Sequence, residues 1–240
     1  MKEFLFKSKT FVILDNGHGI DTPGKRSPVW SDGTQLFEYE FTRDIVGKIS
    51  ELLKLGGISH CILVPEVNDI TLRERVSRIN ELTKRYSDRF VYLVSIHGNA
   101  APNSAANGVE VWTSKGETKS DLLAAEFYNG LKYVGWRMRP NNSLELDREE
   151  DFYILKKSAC PAVLTENGFY TNEEECKKMM QFFWRNRIAI AHFNAIKNIE
   201  VKYDKHLITS KYNNNVGIPT GYNNTEWATL TNGAYSIINV

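Results

Sequence analysis

The chain has 240 residues, which at about 150 residues per domain makes one large domain, or one with a small appendage, and excludes two full ones. Thirty Lys and Arg stand against 29 Asp and Glu, a formal charge of +1, so no electrostatic grip on nucleic acid or an anionic membrane surface is expected. With 42% hydrophobic and 25% charged residues the chain buries a sizeable core, and Cys61, Cys160 and Cys176 are too few, and odd in number, for a disulfide framework.

Charges at Lys2, Glu3, Lys7 and Lys9 interrupt the N-terminus, leaving no apolar run long enough for a signal sequence or a membrane span. The expectation is a protein made in the cytosol, or the mature form of an exported one, with no integral membrane association. Residues 11–14 read as a buried strand. A helix follows through Phe41, Ile45, Ile49, Leu52 and Leu53, stopping at Gly56-Gly57. A strand over 61–64 precedes a helix carrying Leu72, Val76, Ile79 and Leu82. Strands over 91–96 and 109–112 lead to a helix with Leu123, Phe127, Leu131 and Val134.

Residues 137–151 form a polar loop of a length often tied to function, and 162–164 form the last strand. A final helix is expected to begin at Thr171-Asn172, where Thr171 and Glu174 have capping-box spacing, and to run through Ile196. From about residue 200 the chain turns Asn-rich and loses its helical period. The expected division is therefore a domain over 1–200 and a tail over 201–240, either packed on the domain through Tyr212, Tyr222, Trp227 and Tyr235 or irregular. Continuous apolar strands alternating with helices predict an α/β fold, with a central mixed, mostly parallel sheet and helices on both faces.

In open α/β sheets the crevice beyond the carboxyl ends of the strands collects ligands. Beyond 11–14 lies Asp15-Asn16-Gly17-His18-Gly19, beyond 91–94 lies Ser95-Ile96-His97-Gly98-Asn99, and beyond 162–164 lies Thr165-Glu166-Asn167. Glu38 opens the first helix, near its positive end. Two His and two Glu on one rim fit a catalytic Zn²⁺ site with three protein ligands, an open position and one carboxylate kept as base.

At these residues the chain resembles the zinc-dependent N-acetylmuramoyl-L-alanine amidases of the Amidase_3 type. The matching blocks are ILDNGHG (13–19), LFEYEFTRDIV (36–46), LRERVSRIN (72–80), LVSIHGNA (93–100), GVEVWT (108–113) and PAVLTENGFYTN (161–172), all in the family's order. The resemblance implies a zinc-exopeptidase-like sandwich and hydrolysis of the amide between the lactyl group of N-acetylmuramic acid and L-alanine in peptidoglycan. It also implies one Zn²⁺ on His18, Glu38 and His97, with Glu166 as the catalytic carboxylate. Asn16 stands where the family has proline and Gly98 where alanine is common, and Glu40 is the rival to Glu38.

Arg137 and Arg139 are candidate contacts for a substrate carboxylate, and Asn99 and Asn167 either bind substrate or brace turns. Arg75 is expected to anchor its helix. Asp15 or a backbone carbonyl is the expected acceptor behind the histidines, while His60, His192 and His206 have no catalytic part. The rival functions are a zinc peptidase acting on free peptides and a non-catalytic peptidoglycan binder on the same fold. The biological settings that fit are a phage endolysin and a bacterial wall-remodelling enzyme.

Overall fold

The computed structural model describes residues 1–139, 141 and 146–211, the last eight as backbone only. Its sheet has seven strands, β1 (Lys2–Phe4), β2 (Thr10–Asn16), β3 (His60–Ile62), β4 (Phe90–Asn99), β5 (Val109–Thr113), β6 (Arg148–Glu149) and β7 (Ala162–Phe169). The helices are α1 (Glu38–Leu55), α2 (Leu72–Arg85), α3 (Lys119–Lys132), α4 (Tyr153–Lys157), α5 (Glu173–Met180) and α6 (Phe182–Lys211). Across the sheet the strands run β1-β3-β2-β4-β7-β5-β6. Pairings β2·β3, β2·β4, β4·β7 and β5·β6 are parallel, while β1 on β3 and β5 on β7 are antiparallel. The expected mixed, mostly parallel sheet is present.

The strands read as unbroken apolar runs because both sheet faces are covered. Phe11 and Ile13 of β2, Val91 and Leu93 of β4, and Ala162 and Leu164 of β7 enter one apolar cluster with Val76, Ile79 and Leu82 of α2 and Ile154 and Leu155 of α4. The alternate residues Val12, Leu14, Tyr92, Val94 and Val163 enter the other, with Phe41, Ile45 and Ile49 of α1, Leu123 and Phe127 of α3, and Ile188 and Ile196 of α6. The period of two in each strand thus feeds two cores, one per face.

Several details depart from the sequence expectation. The last helix is two, because Gln181 is extended (φ −84°, ψ 133°) and the Arg185 Nε donates to the carbonyl of Met179 (2.6 Å), satisfying the end of α5. The cap of α5 is Asn172, whose side chain accepts from the Glu175 N–H. Thr171 is committed elsewhere, accepting from the Ala101 N–H at 3.0 Å. Leu72 is 52% exposed rather than on the core stripe.

Helical order also passes residue 200 and reaches Lys211. Glu200 accepts from the backbone N–H groups of Lys9 and Thr10, and Tyr203 stacks on Phe90 at 3.7 Å between centroids, so the helix is still tied to the sheet there. Contacts divide the chain into units Met1–Lys205 and His206–Val240. The second is described only over the end of α6, and the tail aromatics Tyr212, Tyr222, Trp227 and Tyr235 lie outside the described residues. Strands β1 and β6 and helix α4, all short, were not expected.

Candidate active site

Strand register sets the site. In β4 and β7 His97 faces Glu166, and in β7 and β5 Glu166 faces Glu110. Directly paired residues project from the same sheet face, so these three side chains form a row across adjacent strands. Its neighbour beyond His97 is Gly17, just past β2. A Cβ on Gly17 would lie 2.3, 2.5 and 2.8 Å from three atoms of the His97 ring, so only glycine leaves room for that imidazole.

His18 has φ 63° and is the one non-glycine residue with positive φ among the described residues. Such a conformation costs on the order of 1 kcal/mol and persists where its surroundings over-determine it. Here the His18 carbonyl accepts from Arg43 Nη1 (2.8 Å) and Arg75 Nη2 (3.5 Å), and the Gly17 carbonyl accepts from the Thr42 hydroxyl (2.9 Å). Arg75 is buried and also donates to Asp15 (2.5 Å), the Asn16 carbonyl (2.9 Å) and Asp69 (2.7 Å). It anchors α2 as expected, and through these bonds it also holds the turn that carries His18.

Glu38, the first residue of α1, is 1% exposed. Its Oε1 lies 3.5 Å from His18 Nε2 and 3.1 Å from His97 Nδ1, and accepts from the Gly98 N–H at 3.1 Å. Its Oε2 is buried without a partner. One donor atom from each of His18, Glu38 and His97 falls within 4.8 Å of the others. Glu40, in contrast, is exposed and accepts from the Tyr39 hydroxyl.

The electrostatics follow from burial. Desolvation takes the His18 imidazole down to about 4, against the pull of Glu38, so it is neutral at pH 7. For His97 burial also favours the neutral ring, but the hydrogen bond and charge of Glu38 outweigh it and raise the pKa. Burial works against the Glu38 carboxylate, yet His97 and His18 together bring its pKa below the usual value. Glu166 is pushed up to about 8, first by burial, with His97 opposing and the negative charges of Glu38 and Glu110 adding to the rise. Its Oε2 is a second buried oxygen with no partner.

The site therefore holds three clustered donors, one of them on a carboxylate whose second oxygen is buried without a partner, and beside them an acid whose pKa is near neutral. The chemistry of two imidazoles and one carboxylate matches a zinc ligand set, and separations of 3.1 and 3.5 Å bracket the roughly 3.4 Å edge of a tetrahedral shell with bonds of about 2.1 Å. The residues present fit a divalent cation of that kind.

The remaining candidates divide. Asn99 donates to Glu110 Oε2 (2.8 Å). Asn167 is fully buried, with its amide nitrogen 3.1 Å from the His97 carbonyl and 3.1 Å from the Thr165 hydroxyl, so it occupies the position of a brace. That hydroxyl lies 2.9 Å from His192 Nε2, whose other ring nitrogen lies 2.8 Å from the Ile188 carbonyl. His192 is thus tied to the strand that carries Glu166 without entering the row, and His60 is bonded to Ser50 and the Ile58 carbonyl. The side chain of His206 lies outside the described residues. Asp15 accepts from Arg75 and Ser95, not from either histidine as considered above.

Arg137 is exposed, whereas Arg139 pairs with Glu110 at 2.6 Å. Sequence reasoning missed Glu110 and Arg148. A charged residue at an inward position of the apolar run VEVW was the available signal for the first. The second, whose Nε lies 3.3 Å from Glu110, had none.

The chain is similar to several known proteins. The family profile described as N-acetylmuramoyl-L-alanine amidase, Amidase_3, matches residues 12–198. The chain is 28% identical over 183 residues to N-acetylmuramoyl-L-alanine amidase LytC of Bacillus subtilis (strain 168), a match spanning 75% of this chain but only 33% of that protein. It is 26% identical over 195 residues to the endolysin of Bacillus phage SPP1, spanning 78% of this chain and 65% of the endolysin. Among solved structures, the N-acetylmuramoyl-L-alanine amidase of Clostridium difficile 630 superposes with a TM-score of 0.68 at 26% identity, covering 80% of this chain and 97% of that one. The catalytic domain of CwlV from Bacillus (Paenibacillus) polymyxa var. colistinus, 22% identical with a TM-score of 0.66, shares the fold.

Proposed function

Because the chain belongs to the Amidase_3 family of N-acetylmuramoyl-L-alanine amidases, we propose that it hydrolyses peptidoglycan with one Zn²⁺ held by His18, Glu38 and His97 and with Glu166 as the catalytic carboxylate. It is a hydrolase of a linear amide, and the bond assigned to it joins the lactyl group of N-acetylmuramic acid to L-alanine. The observation that carries this reading is the pairing of Glu166 opposite His97, which sets a proton-accepting group beside the three clustered donors.

Zn²⁺, when bound there, supplies Lewis-acid polarisation of the scissile carbonyl and acidifies water. The chain's own part is proton traffic and positioning. Glu166 takes a proton from the attacking water and delivers it to the nitrogen of L-alanine as that bond breaks, and a carboxyl that titrates near neutrality serves both halves of the cycle. Burial holds it at about 8, and a cation held by His18, Glu38 and His97 would lower that value. Glu38 fixes the orientation of His97 through the 3.1 Å contact, and Asn167 braces the same strand end from behind.

The test is elemental analysis of the purified chain together with hydrolysis of intact cell walls, with and without chelator. The expected result is about one zinc per chain, new L-alanine amino termini, no new reducing sugar ends, and loss of hydrolysis on chelation that Zn²⁺ restores. Activity unaffected by thorough chelation would end the metal assignment. Release of amino groups from free peptides but not from walls would favour a peptidase instead. No helix among the described residues is long and apolar enough to cross a membrane, and the substrate proposed is the wall itself, in lysis or in remodelling.

A further inference from the structure

Glu110 is a carboxylate that the proposed chemistry does not use. It is 2% exposed and both oxygens are engaged, Oε1 by Arg139 Nη1 (2.6 Å) and Arg148 Nε (3.3 Å), Oε2 by Asn99 Nδ2 (2.8 Å) and Trp112 Nε1 (3.0 Å). Four donors on one buried carboxylate make it a fixed post. Arg139 is held twice, by this post and by stacking over the Phe169 ring at 5.1 Å, and Phe169 is the last residue of the strand that carries Glu166. Arg148 is held likewise, on Glu110 and over the Trp112 ring at 5.7 Å. Only one Nη of Arg139 is spent on Glu110, and its side chain remains 40% exposed. A guanidinium whose rotamers are already restricted loses little further freedom on binding, and its planar fork suits a carboxylate.

Position along the row gives the direction. The three clustered donors lie at the β2 and β4 end, Glu166 on β7 comes next, and Glu110 on β5 follows, with Arg148 on β6 and Arg139, whose backbone N–H donates to the Val109 carbonyl, paired to it. Glu166 protonates the leaving nitrogen, so the peptide departs on its side, and Glu110, to which the arginines are paired, stands one strand spacing, ~5 Å, beyond it. Among the described residues, three other acids of this region have partners of their own. Asp147 accepts from the Thr113 hydroxyl, Glu149 from the Gly116 N–H, and Glu150 pairs with Lys115.

We propose that Arg139, oriented by Glu110 and Phe169 and sharing that carboxylate with Arg148, forms a carboxylate-binding subsite for the peptide on the leaving side of the scissile amide, selecting an anionic residue next to the L-alanine. The proposal rests on the amidase reading for its direction, since that reading says which side leaves.

The probes are two N-acetylmuramoyl peptides with amidated C-termini, identical except that the residue after L-alanine is glutamate in one and glutamine in the other. Their binding is measured by calorimetry on the Glu166→Gln chain supplied with Zn²⁺, and their relative KM on the wild type. The glutamate peptide should bind about ten-fold tighter, as a charge-assisted bond to a partly exposed guanidinium would give. Adding Arg139→Gln should bring the two within about two-fold, while Arg139→Lys keeps part of the preference. Equal binding, or binding of neither peptide, overturns the subsite, and a preference that survives Arg139→Gln overturns the assignment to Arg139. Hydrolysis of intact walls by the wild type tests the amidase reading separately. Walls cleaved without any preference between the peptides would sink the subsite alone, and a preference without wall cleavage would sink the amidase reading alone.

Discussion

Gly17 and Glu166 show how much of the site rests on single atoms. A methyl group at Gly17 would sit 2.3 Å from the His97 ring, so Gly17→Ala must push the imidazole out of line with Glu38. The expected outcome is a folded chain that binds zinc at least ten-fold more weakly, read by competition with a chromogenic chelator. Unchanged zinc affinity would mean that the ring has somewhere else to go. Glu166→Gln keeps the size of the side chain but cannot accept a proton, so zinc content should persist while turnover on walls falls by ~10² or more. If Glu166 were a ligand or a brace instead, zinc content or the thermal midpoint would fall with the rate. His97→Ala removes a donor outright, and stoichiometric zinc in that variant would refute the ligand set.

At the scale of elements, the turn after β2 depends on α2. Arg75 is 3% exposed and joins Asp15, Asn16, His18 and Asp69 across the gap between them. Arg75→Met leaves Asp15 buried without its cation, a change that typically costs about 3–5 kcal/mol, and it releases one of the two bonds that hold His18 at positive φ. Chemical denaturation should show the stability loss, and zinc affinity should fall with it, whereas a loss below ~1 kcal/mol would show that Ser95 and water satisfy Asp15 unaided. The importance of Arg75 as an anchor was legible in its motif, and so were His18, Glu38, His97 and Glu166, because each follows an apolar strand or opens a helix.

What escaped the sequence reading depended on contacts from afar. Asn172 rather than Thr171 caps α5 because Thr171 accepts from Ala101, about seventy residues earlier. The break at Gln181 depends on Arg185 reaching back to Met179, and a 3.6-residue period drawn through Met179, Phe182 and Phe183 hides it. Glu110 looked like an ordinary strand residue because nothing local shows that its neighbours will be two arginines about thirty and forty residues later, one of them on β6, and its opposite number Glu166. Asp15 matched the expected acceptor in place but not in partner, since Arg75 is drawn to it from a separate helix.

For the molecule as a whole, acid should be destabilising before the carboxylates titrate. His192 is fully buried, and desolvation takes its pKa down to about 4 from 6.5. The unfolded chain therefore binds a proton there between pH 6.5 and 4 that the folded chain does not. Stability from this group is complete above the unfolded value and is lost as pH falls toward the folded one, by on the order of 3 kcal/mol over the interval. Urea midpoints measured from pH 7 to 4 should fall less steeply in His192→Leu than in the wild type, and equal slopes would show that His192 is not a source of acid sensitivity.

The strand order carries one more implication, for the time course of synthesis. His97 and Glu110 lie on β4 and β5, yet the strand that stands between them in the sheet, β7, is made some fifty residues after β5 ends. On a ribosome the two earlier strands must wait with unpaired edges, a state prone to mispairing and slow to resolve because the missing contacts are non-local. The last-made strand brings Glu166 with it, so the row of His97, Glu166 and Glu110 does not exist in any nascent chain that has not yet reached residue 166. On the proposed reading, hydrolysis is in this way tied to completion of the sheet, and every partly made copy is expected to be inert.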